Sequence, residues 1–113
     1  MLRLSELEAQ VYANGQLDAE DLAKLAANGV KTIVNNRPDG EDPEQLPAAE
    51  AERLSRELGM AYYFIPVGRE GVTLQAAEAF AKVLGEAQKP IVAYCRSGMR
   101  SSTLFAHARA LEA

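Results

Sequence analysis

Tryptophan is absent from this sequence of 113 residues, and cysteine and histidine occur once each. One cysteine excludes an internal disulfide and a cysteine-rich zinc module, and one histidine excludes a histidine-rich metal centre. We therefore expect neither a metal nor another cofactor. Long apolar runs are also missing: no stretch approaches the roughly 18 apolar residues of a membrane span, and the N-terminus does not resemble a signal peptide. The sequence predicts a cytoplasmic protein in a reducing compartment that does not bind membranes.

Basic residues are fewer than acidic ones. Lysine and arginine total 12 and aspartate and glutamate total 16, which gives a formal net charge of −4. A nucleic-acid-binding domain usually carries a basic face, so we expect no nucleic-acid partner. The hydrophobic fraction of 48% and the charged fraction of 25% are typical of a folded globular chain. This length predicts one compact domain over residues 1–113.

The chain alternates segments of strand-like and helical pattern. Residues 30–35, 60–67 and 91–94 predict strands, and 11–13 form a shorter apolar piece. Helices are predicted after Asp18, over 48–58, after Thr73 and from about Ser101, with a proline-rich loop over 36–47. This alternation predicts an α/β fold, a single three-layer domain whose mostly parallel sheet is flanked by helices.

The one cysteine stands at the end of the most apolar predicted strand. Ligands of open parallel sheets bind at the carboxyl ends of the strands, and Cys95 takes this position. The next residues lead directly into a helix N-terminus, where successive backbone N–H groups can bind an anion. Gly98 allows the positive φ that so tight a turn needs. We predict an anion-binding loop made of Arg96, Ser97, Gly98, Met99, Arg100 and Ser101.

The same surroundings favour a reactive cysteine. A helix N-terminus and neighbouring arginines lower a cysteine pKa from ~8.5 to between ~3.5 and ~7.5. A cysteine that only fills the core needs neither the glycine three residues later nor arginines at both ends of the loop. We predict Cys95 and Arg100 as catalytic residues, with Cys95 as the nucleophile. The residues alone leave open whether Arg96 or Arg100 points at the ligand.

The loop from Cys95 to Ser101 resembles the active-site loop of rhodanese sulfurtransferases, which often read Cys-Arg-Ser-Gly-x-Arg-Ser. It also resembles the phosphate-binding loop of cysteine phosphatases, Cys-x-x-Gly-x-x-Arg-Ser, with one difference. The phosphatase arginine follows the cysteine by six residues, whereas here Ser101 holds that place and Arg100 comes one residue early. By spacing, the loop is closer to rhodanese.

The rest of the chain resembles phosphatases. Residues 12–16, 29–35, 36–41 and 65–67 are similar to segments of dual-specificity phosphatases. In combination, nearly the whole chain resembles the bacterial beta-lactamase-hydrolase-like phosphatase-domain family. This resemblance implies a tyrosine-phosphatase-like fold, that of the cysteine phosphatases. Members are often described as sulfur transferases, and some are fused to a metallo-beta-lactamase-like domain linked to sulfide detoxification.

Sulfur transfer makes the lighter chemical demands of the two reactions. The Cys95 thiolate would attack the outer sulfur of thiosulfate or a persulfide, and sulfite or a low-pKa thiol would leave without taking up a proton. The loop would hold this small anionic substrate. An external acceptor thiol would then take the sulfur from the Cys95 persulfide, because the chain has no second cysteine. We rank this rhodanese-type reaction first.

The alternative is a phosphatase, protein-tyrosine or dual-specificity-like, that acts on a phosphate ester through a Cys95 phosphocysteine. This reaction needs a general acid for the leaving group, and the loop over 68–71 contains no aspartate. Glu70 and Asp39 are the candidates for that acid, and Glu41 is a further carboxylate able to reach in from the loop of Asp39.

A second alternative is a module that kept the loop and binds an anion or a protein without catalysis. Arg37 and Arg69 are either outer contacts of the anion or ordinary surface charges. His107 lies about two turns into the last predicted helix, too far for a Cys–His pair, so we expect it on the flank of the core. The acidic residues over 39–44 lack the spacing of metal ligands and predict a solvated loop.

Overall fold

Five strands form the centre of the computed structural model, which describes residues 2–112. They are β1 (Ser5–Glu8), β2 (Val11–Asn14), β3 (Thr32–Asn35), β4 (Ala61–Phe64) and β5 (Ile91–Tyr94). Their spatial order is β1-β2-β5-β3-β4. Strands β2, β5, β3 and β4 run parallel, whereas β1 pairs with β2 in the antiparallel direction. The fold is a single α/β domain with a mixed sheet in which β5 is central.

Helices cover both faces of this sheet. They are α1 (Ala19–Ala27), α2 (Ala48–Glu57), α3 (Leu74–Glu86) and α4 (Met99–Ala110). Alternate side chains of β5 point to opposite faces of the sheet. Ile91 and Ala93 pack on the face covered by α3 and α4. Val92 and Tyr94 pack on the face covered by α1 and α2. All four are buried, so β5 is apolar on both faces, as a central parallel strand must be. Across residues 2–112, no helix has the length and apolar character needed to span a membrane.

The three-layer fold with a mostly parallel sheet is confirmed, and the differences lie at the ends of elements. Strand β1 was not predicted, because residues 5–8 carry two acidic side chains and form an exposed edge strand without a long apolar run. Helix α4 begins at Met99 rather than near Ser101, because Gly98 already turns the chain with a φ of 95°. The earlier start places Arg100 in the first helical turn.

Side-chain caps begin two of the helices where the sequence indicates them. The Asp18 carboxylate accepts from the Asp21 N–H at 2.8 Å, and the Asp21 carboxylate accepts in return from the Asp18 N–H at 3.1 Å. At the start of α3, Thr73 Oγ1 accepts from the Ala76 N–H at 3.1 Å. These bonds satisfy backbone donors that have no partner inside the helix.

We expect Asp18→Ala to lower the stability of the fold. The substitution removes the acceptor for the Asp21 N–H, and losing such a cap costs about 1 kcal/mol, which lowers Tm by roughly 4–8 °C in a domain near this size. Thermal unfolding followed by circular dichroism measures the change. Asp18→Asn keeps the acceptor oxygen and should unfold close to the unchanged protein. An alanine variant with an unchanged Tm would contradict the capping role.

Candidate active site

The carboxyl ends of β2, β5 and β3 lie side by side, and the loops that leave them build the site. Cys95 directly follows β5, Gly15 follows β2 and Asn36 follows β3. Cys95 has no exposed surface, so its sulfur lies at the floor of the site beneath the loop that joins β5 to α4. The structure therefore puts the predicted nucleophile where parallel sheets bind ligands.

Backbone N–H groups of this loop surround the Cys95 sulfur. The Gly98 N–H donates to Sγ at 3.0 Å, and the N–H groups of Ser97 and Ser101 also interact with the sulfur. Burial raises the pKa of the Cys95 thiol, but the backbone hydrogen bonds from Ser101, Ser97 and Gly98 outweigh it and hold that pKa below its usual value. The site thus favours a thiolate.

The segment that leaves β2 supports the loop from one side. The Cys95 N–H donates to the Asn14 carbonyl at 3.3 Å, and the Gln16 N–H donates to the Arg96 carbonyl at 3.2 Å. Gly15 lies so close that a Cβ on it would be 3.0 Å from the Arg96 carbonyl oxygen. The Asn-Gly pair that marks a turn in the sequence therefore also makes room for the loop.

Asn36 supports the loop from the other side. The Ser101 hydroxyl donates to Asn36 Oδ1 at 2.7 Å, and Asn36 Nδ2 donates to the Ile65 carbonyl at 2.9 Å. From the sequence, Ser101 and Ser102 are candidates either to cap the helix or to hydrogen-bond the sulfur. Gly98 is the N-cap, with no side-chain cap, and the Ser102 hydroxyl donates to the Gly98 carbonyl at 3.0 Å. The Ser101 side chain interacts with the Cys95 sulfur and helps to lower the pKa of its thiol. Ser101 thus ties α4 to the loop after β3.

Glu41 lies between two arginines. Arg100 donates to both Glu41 carboxylate oxygens at 2.8 Å, and Arg37 Nε donates to one of them at 2.9 Å. The hydrogen bonds from Arg100, joined by that from Arg37, lower the pKa of Glu41 to about 2, although burial raises it. Glu41 is therefore a carboxylate at neutral pH.

Arg37 is not a surface charge, which corrects one of the two expectations for it. The residue is only 4% exposed, and its Nη1 also donates to Gln16 Oε1 at 3.0 Å. A buried guanidinium needs partners for its donors, and Glu41 and Gln16 each accept from one of them here. The loop over 39–44 is exposed, as predicted, and within it these ion pairs hold Glu41 in place.

The Arg100 guanidinium uses one edge to bind Glu41, and its other edge has no oxygen partner. Its Nη1 donates to Glu41 and to the Val67 carbonyl, both at 2.8 Å, and its Nη2 donates to Glu41. Hydrogen bonding to Glu41 raises the pKa of Arg100, and the nearby Cys95 sulfur adds to this effect. Within residues 2–112, the Nε–H and the second Nη2–H have no oxygen acceptor. This edge has no oxygen partner, although the guanidinium also interacts with the Cys95 sulfur, and it can bind two oxygens of an anion.

A basin of about 540 Å³ opens above the loop. Arginine side chains and carboxylates share its wall, which is lined by Asp39, Gly40, Glu41, Gly68, Arg69, Arg96 and Arg100. Arg96 is therefore at the mouth with an exposed side chain, and Met99, which is 75% exposed, points to solvent. Both arginines of the loop reach the basin, but Arg100 alone also interacts with the Cys95 sulfur.

The two carboxyl groups predicted as general acids lie at different places. Asp39 lines the basin, and its Oδ1 accepts from the Ala48 N–H at 2.8 Å at the start of α2. Glu70 is exposed and its carboxylate lies over Gly68, where a Cβ would be 2.5 Å from Oε1. His107 is exposed on α4, two turns beyond the loop, instead of flanking the core.

Comparison with known proteins places the chain among phosphatase-like domains. The family model described as "Beta-lactamase hydrolase-like protein, phosphatase-like domain" matches residues 4–112. The beta-lactamase hydrolase-like protein of Agrobacterium fabrum is 38% identical over 98 residues, and that of Xylella fastidiosa is 31% identical over 106 residues. These matches cover 87% and 93% of this chain but 23% and 24% of the relatives, so the chain spans about a quarter of their length.

Solved structures share the fold. A candidate phosphatase of Neisseria meningitidis has a TM-score of 0.84 at 33% identity, with 95% of this chain and 76% of that chain covered. The PP-IP phosphatase core of S. cerevisiae, in complex with citrate, has a TM-score of 0.65 at 17% identity, with 95% and 74% covered. The cysteine-phosphatase-like fold is therefore confirmed, and the comparisons favour the phosphatase alternative over sulfur transfer.

Two contacts that support the site could not be predicted from the sequence. Glu41 and Arg100 are 59 residues apart, and Asn36 and Ser101 are 65 residues apart, so no local spacing connects them. The signal available was compositional: Asn36 and Arg37 follow a predicted strand directly, and polar residues at that position often serve a site.

We expect Gly98→Ala to raise the pKa of the Cys95 thiol. A φ of 95° strains any other residue by about 1–2 kcal/mol, and a Cβ here would lie 3.4 Å from the Asn14 carbonyl carbon. The turn must shift, which weakens the N–H contacts to sulfur. Thiolate absorbance in the ultraviolet, followed against pH with Cys95→Ser as blank, measures the pKa. Gly59→Ala is the matched control, since Gly59 has a φ of 84° and no neighbour within 4 Å. Equal thiol pKa values in the two variants would refute this account.

We expect the stabilising effect of Glu41 to disappear in acid. Its folded-state pKa of about 2 lies below the ordinary value of 4.5, so the stabilisation is complete above pH 4.5 and is lost as pH falls through about 2. Urea unfolding at a series of pH values should show that Glu41→Gln is less stable than the unchanged chain near neutral pH, with a gap that narrows in acid. Glu44→Gln, on the same loop, should show no such gap. A gap that is constant down to low pH would argue against the ion pairs as its source.

Proposed function

We propose that this chain, which belongs to the family of the beta-lactamase hydrolase-like protein phosphatase-like domain, hydrolyses small phosphate monoesters through a Cys95 phosphocysteine. The observation that carries the proposal is the buried Cys95 sulfur, held by loop N–H groups beside the Arg100 guanidinium. Phosphoryl transfer to sulfur requires this combination of a thiolate and anion-binding donors. Family membership and the phosphatase-like neighbours support it over the sulfur transfer that the loop spacing favours.

The proposed reaction has two displacement steps. In the first, the Cys95 thiolate attacks phosphorus, an S–P bond forms and the P–O ester bond breaks. The leaving oxygen departs with the bonding electron pair and takes a proton from a carboxylic acid. In the second, a water molecule attacks phosphorus, gives a proton to the resulting carboxylate, and the S–P bond breaks. Inorganic phosphate and the Cys95 thiolate are regenerated, so the cycle needs no redox partner.

The loop donors stabilise charge in both steps. As the S–P bond forms, the sulfur loses its negative charge and the phosphoryl oxygens become the acceptors nearest to the N–H groups of Ser97, Gly98 and Ser101. The free Nε–Nη2 edge of Arg100 matches two of these oxygens. Because the guanidinium is held by Glu41 and the Val67 carbonyl, it needs little reorganisation when charge develops.

Asp39 is the carboxyl group that best fits the role of general acid. Glu41 is excluded, because both of its carboxylate oxygens already accept hydrogen bonds from Arg100 and one also accepts from Arg37. Asp39 and Glu70 are both exposed, but of the two only Asp39 lines the basin. One Asp39 oxygen accepts from the Ala48 N–H, and within the described residues the other has no hydrogen-bond partner and is available to the leaving group.

Access to the sulfur requires movement of side chains. Cys95 has no exposed surface, so an ester reaches it only after the groups above it separate. The Arg100–Glu41 pair lies at the mouth and is partly exposed, with 27% of each side chain accessible to solvent. An incoming phosphate binds the Nε–Nη2 edge of Arg100, which Glu41 does not occupy, so the side chains at the mouth move while the Arg100–Glu41 pair stays intact.

Sulfur transfer is the second candidate, favoured by one observation. Only four residues separate Cys95 from Arg100, as in the rhodanese loop, and this spacing allows α4 to start at Met99. In this reaction the thiolate attacks the outer sulfur of thiosulfate, the S–S bond breaks and sulfite leaves with its electron pair. A thiol or cyanide then removes the outer sulfur from the Cys95 persulfide.

The test uses two assays. One measures phosphate release from an aryl phosphate, and the other measures thiocyanate formation from thiosulfate and cyanide. We expect aryl phosphate turnover that Cys95→Ser abolishes and Arg100→Lys lowers by roughly a hundredfold, because lysine lacks the planar fork. Arg53→Lys is the control, since Arg53 pairs with Glu50 and Glu57 on the surface of α2. Thiocyanate formation without phosphate release would contradict the phosphatase proposal and identify sulfur transfer as the reaction. Activity in neither assay, with phosphate bound, would indicate the non-catalytic module.

A further inference from the structure

We infer that the substrate carries a second anionic group beside its phosphate, bound at the rim of the basin by Arg69 and Arg96. The inference rests on the proposed function, because it concerns the same site, and it narrows the substrate class to small phosphate esters that carry a second acidic group, such as phosphorylated carboxylic acids. The residues that carry it are two guanidinium groups that the proposed reaction leaves unused.

Both arginines are exposed and both line the basin. Within residues 2–112, neither guanidinium makes an ion pair or a hydrogen bond. This separates them from the arginines that pair with carboxylates, namely Arg37, Arg53, Arg56, Arg100 and Arg109. Unpaired arginines that come from two different loops and line one cavity form a ready contact for an anion.

The carboxylates of the same basin do not pair with these two arginines. Glu41 is shared by Arg37 and Arg100, and Asp39 accepts from the Ala48 N–H. The wall of the basin holds three arginines and two carboxylates, so it is locally positive in a chain whose net charge is −4. Such a local excess within an acidic surface attracts and orients anions.

The reacting phosphate does not account for Arg69 and Arg96. Its oxygens are matched by the loop N–H groups and by the free edge of Arg100, deep in the site next to the Cys95 sulfur. The basin of about 540 Å³ has the size of a small-molecule site, larger than one phosphate needs. A second anionic group a few bonds away from the phosphate would reach the rim.

The test measures binding to the Cys95→Ser chain, so that no probe is consumed. Calorimetry compares the affinities of carboxybutyl phosphate and carbamoylbutyl phosphate. The second probe has nearly the same shape and flexibility, but a neutral amide replaces the carboxylate. We expect the carboxylate probe to bind about tenfold more tightly, and we expect this preference to vanish when Arg69→Gln and Arg96→Gln are combined. Lys82→Gln, on α3 and outside the basin, removes a charge as a control and should keep the preference.

Equal binding of the two probes, or a preference that survives the double substitution, would overturn the inference. The outcome is separate from that of the proposed function, because binding is read without turnover. If the chain shows the arginine-dependent preference but does not hydrolyse phosphate esters, the second anion site is supported and the proposed phosphatase reaction is refuted. If the chain hydrolyses phosphate esters but binds both probes equally, the phosphatase reaction is supported and the second anion site is refuted.

Discussion

The hydrogen bonds from loop N–H groups to the Cys95 sulfur are the interaction on which the site depends. Burial alone favours the neutral thiol, because removing a charge from water is costly. The Ser101, Ser97 and Gly98 donors reverse that preference and hold the thiol pKa low. They point to one place because Gly98 turns the chain and α4 begins at the next residue. The lowered pKa of the Cys95 thiol is therefore mainly a property of backbone geometry.

That geometry is held by the strands on either side of β5. Asn14 to Gln16 leave β2 and fix the loop through two backbone hydrogen bonds, and Asn36 leaves β3 and holds Ser101. Each such bond contributes about 1 kcal/mol, and together they act on a short loop between a buried strand and a helix. A central strand brings both neighbouring loops next to its own carboxyl end, so the strand order of the sheet is part of the chemistry.

Local features of the site were predictable and its long-range partners were not. The strand, the cysteine, the glycine and the helix follow each other within a few residues, so the position of Cys95 and the positive φ of Gly98 could be deduced from order alone. Strand β1 lacks an apolar pattern because it is an exposed edge. The partners of Arg100 and Ser101 come from a loop about 60 residues earlier, and only the folded sheet brings them together.

The contacts that hold the anion do not by themselves choose between phosphate and sulfur chemistry. A thiosulfate and a phosphate ester present similar oxygens to the loop N–H groups and to the Arg100 edge. The two reactions differ in the leaving group, since sulfite departs unaided and an alkoxide needs a proton. Glu41 is committed as an anion by its two arginines, which leaves Asp39 as the rim carboxyl that could supply the proton. Under the proposed reaction, the choice between the two chemistries therefore depends on a proton donor at the mouth of the basin, for which Asp39 is the candidate.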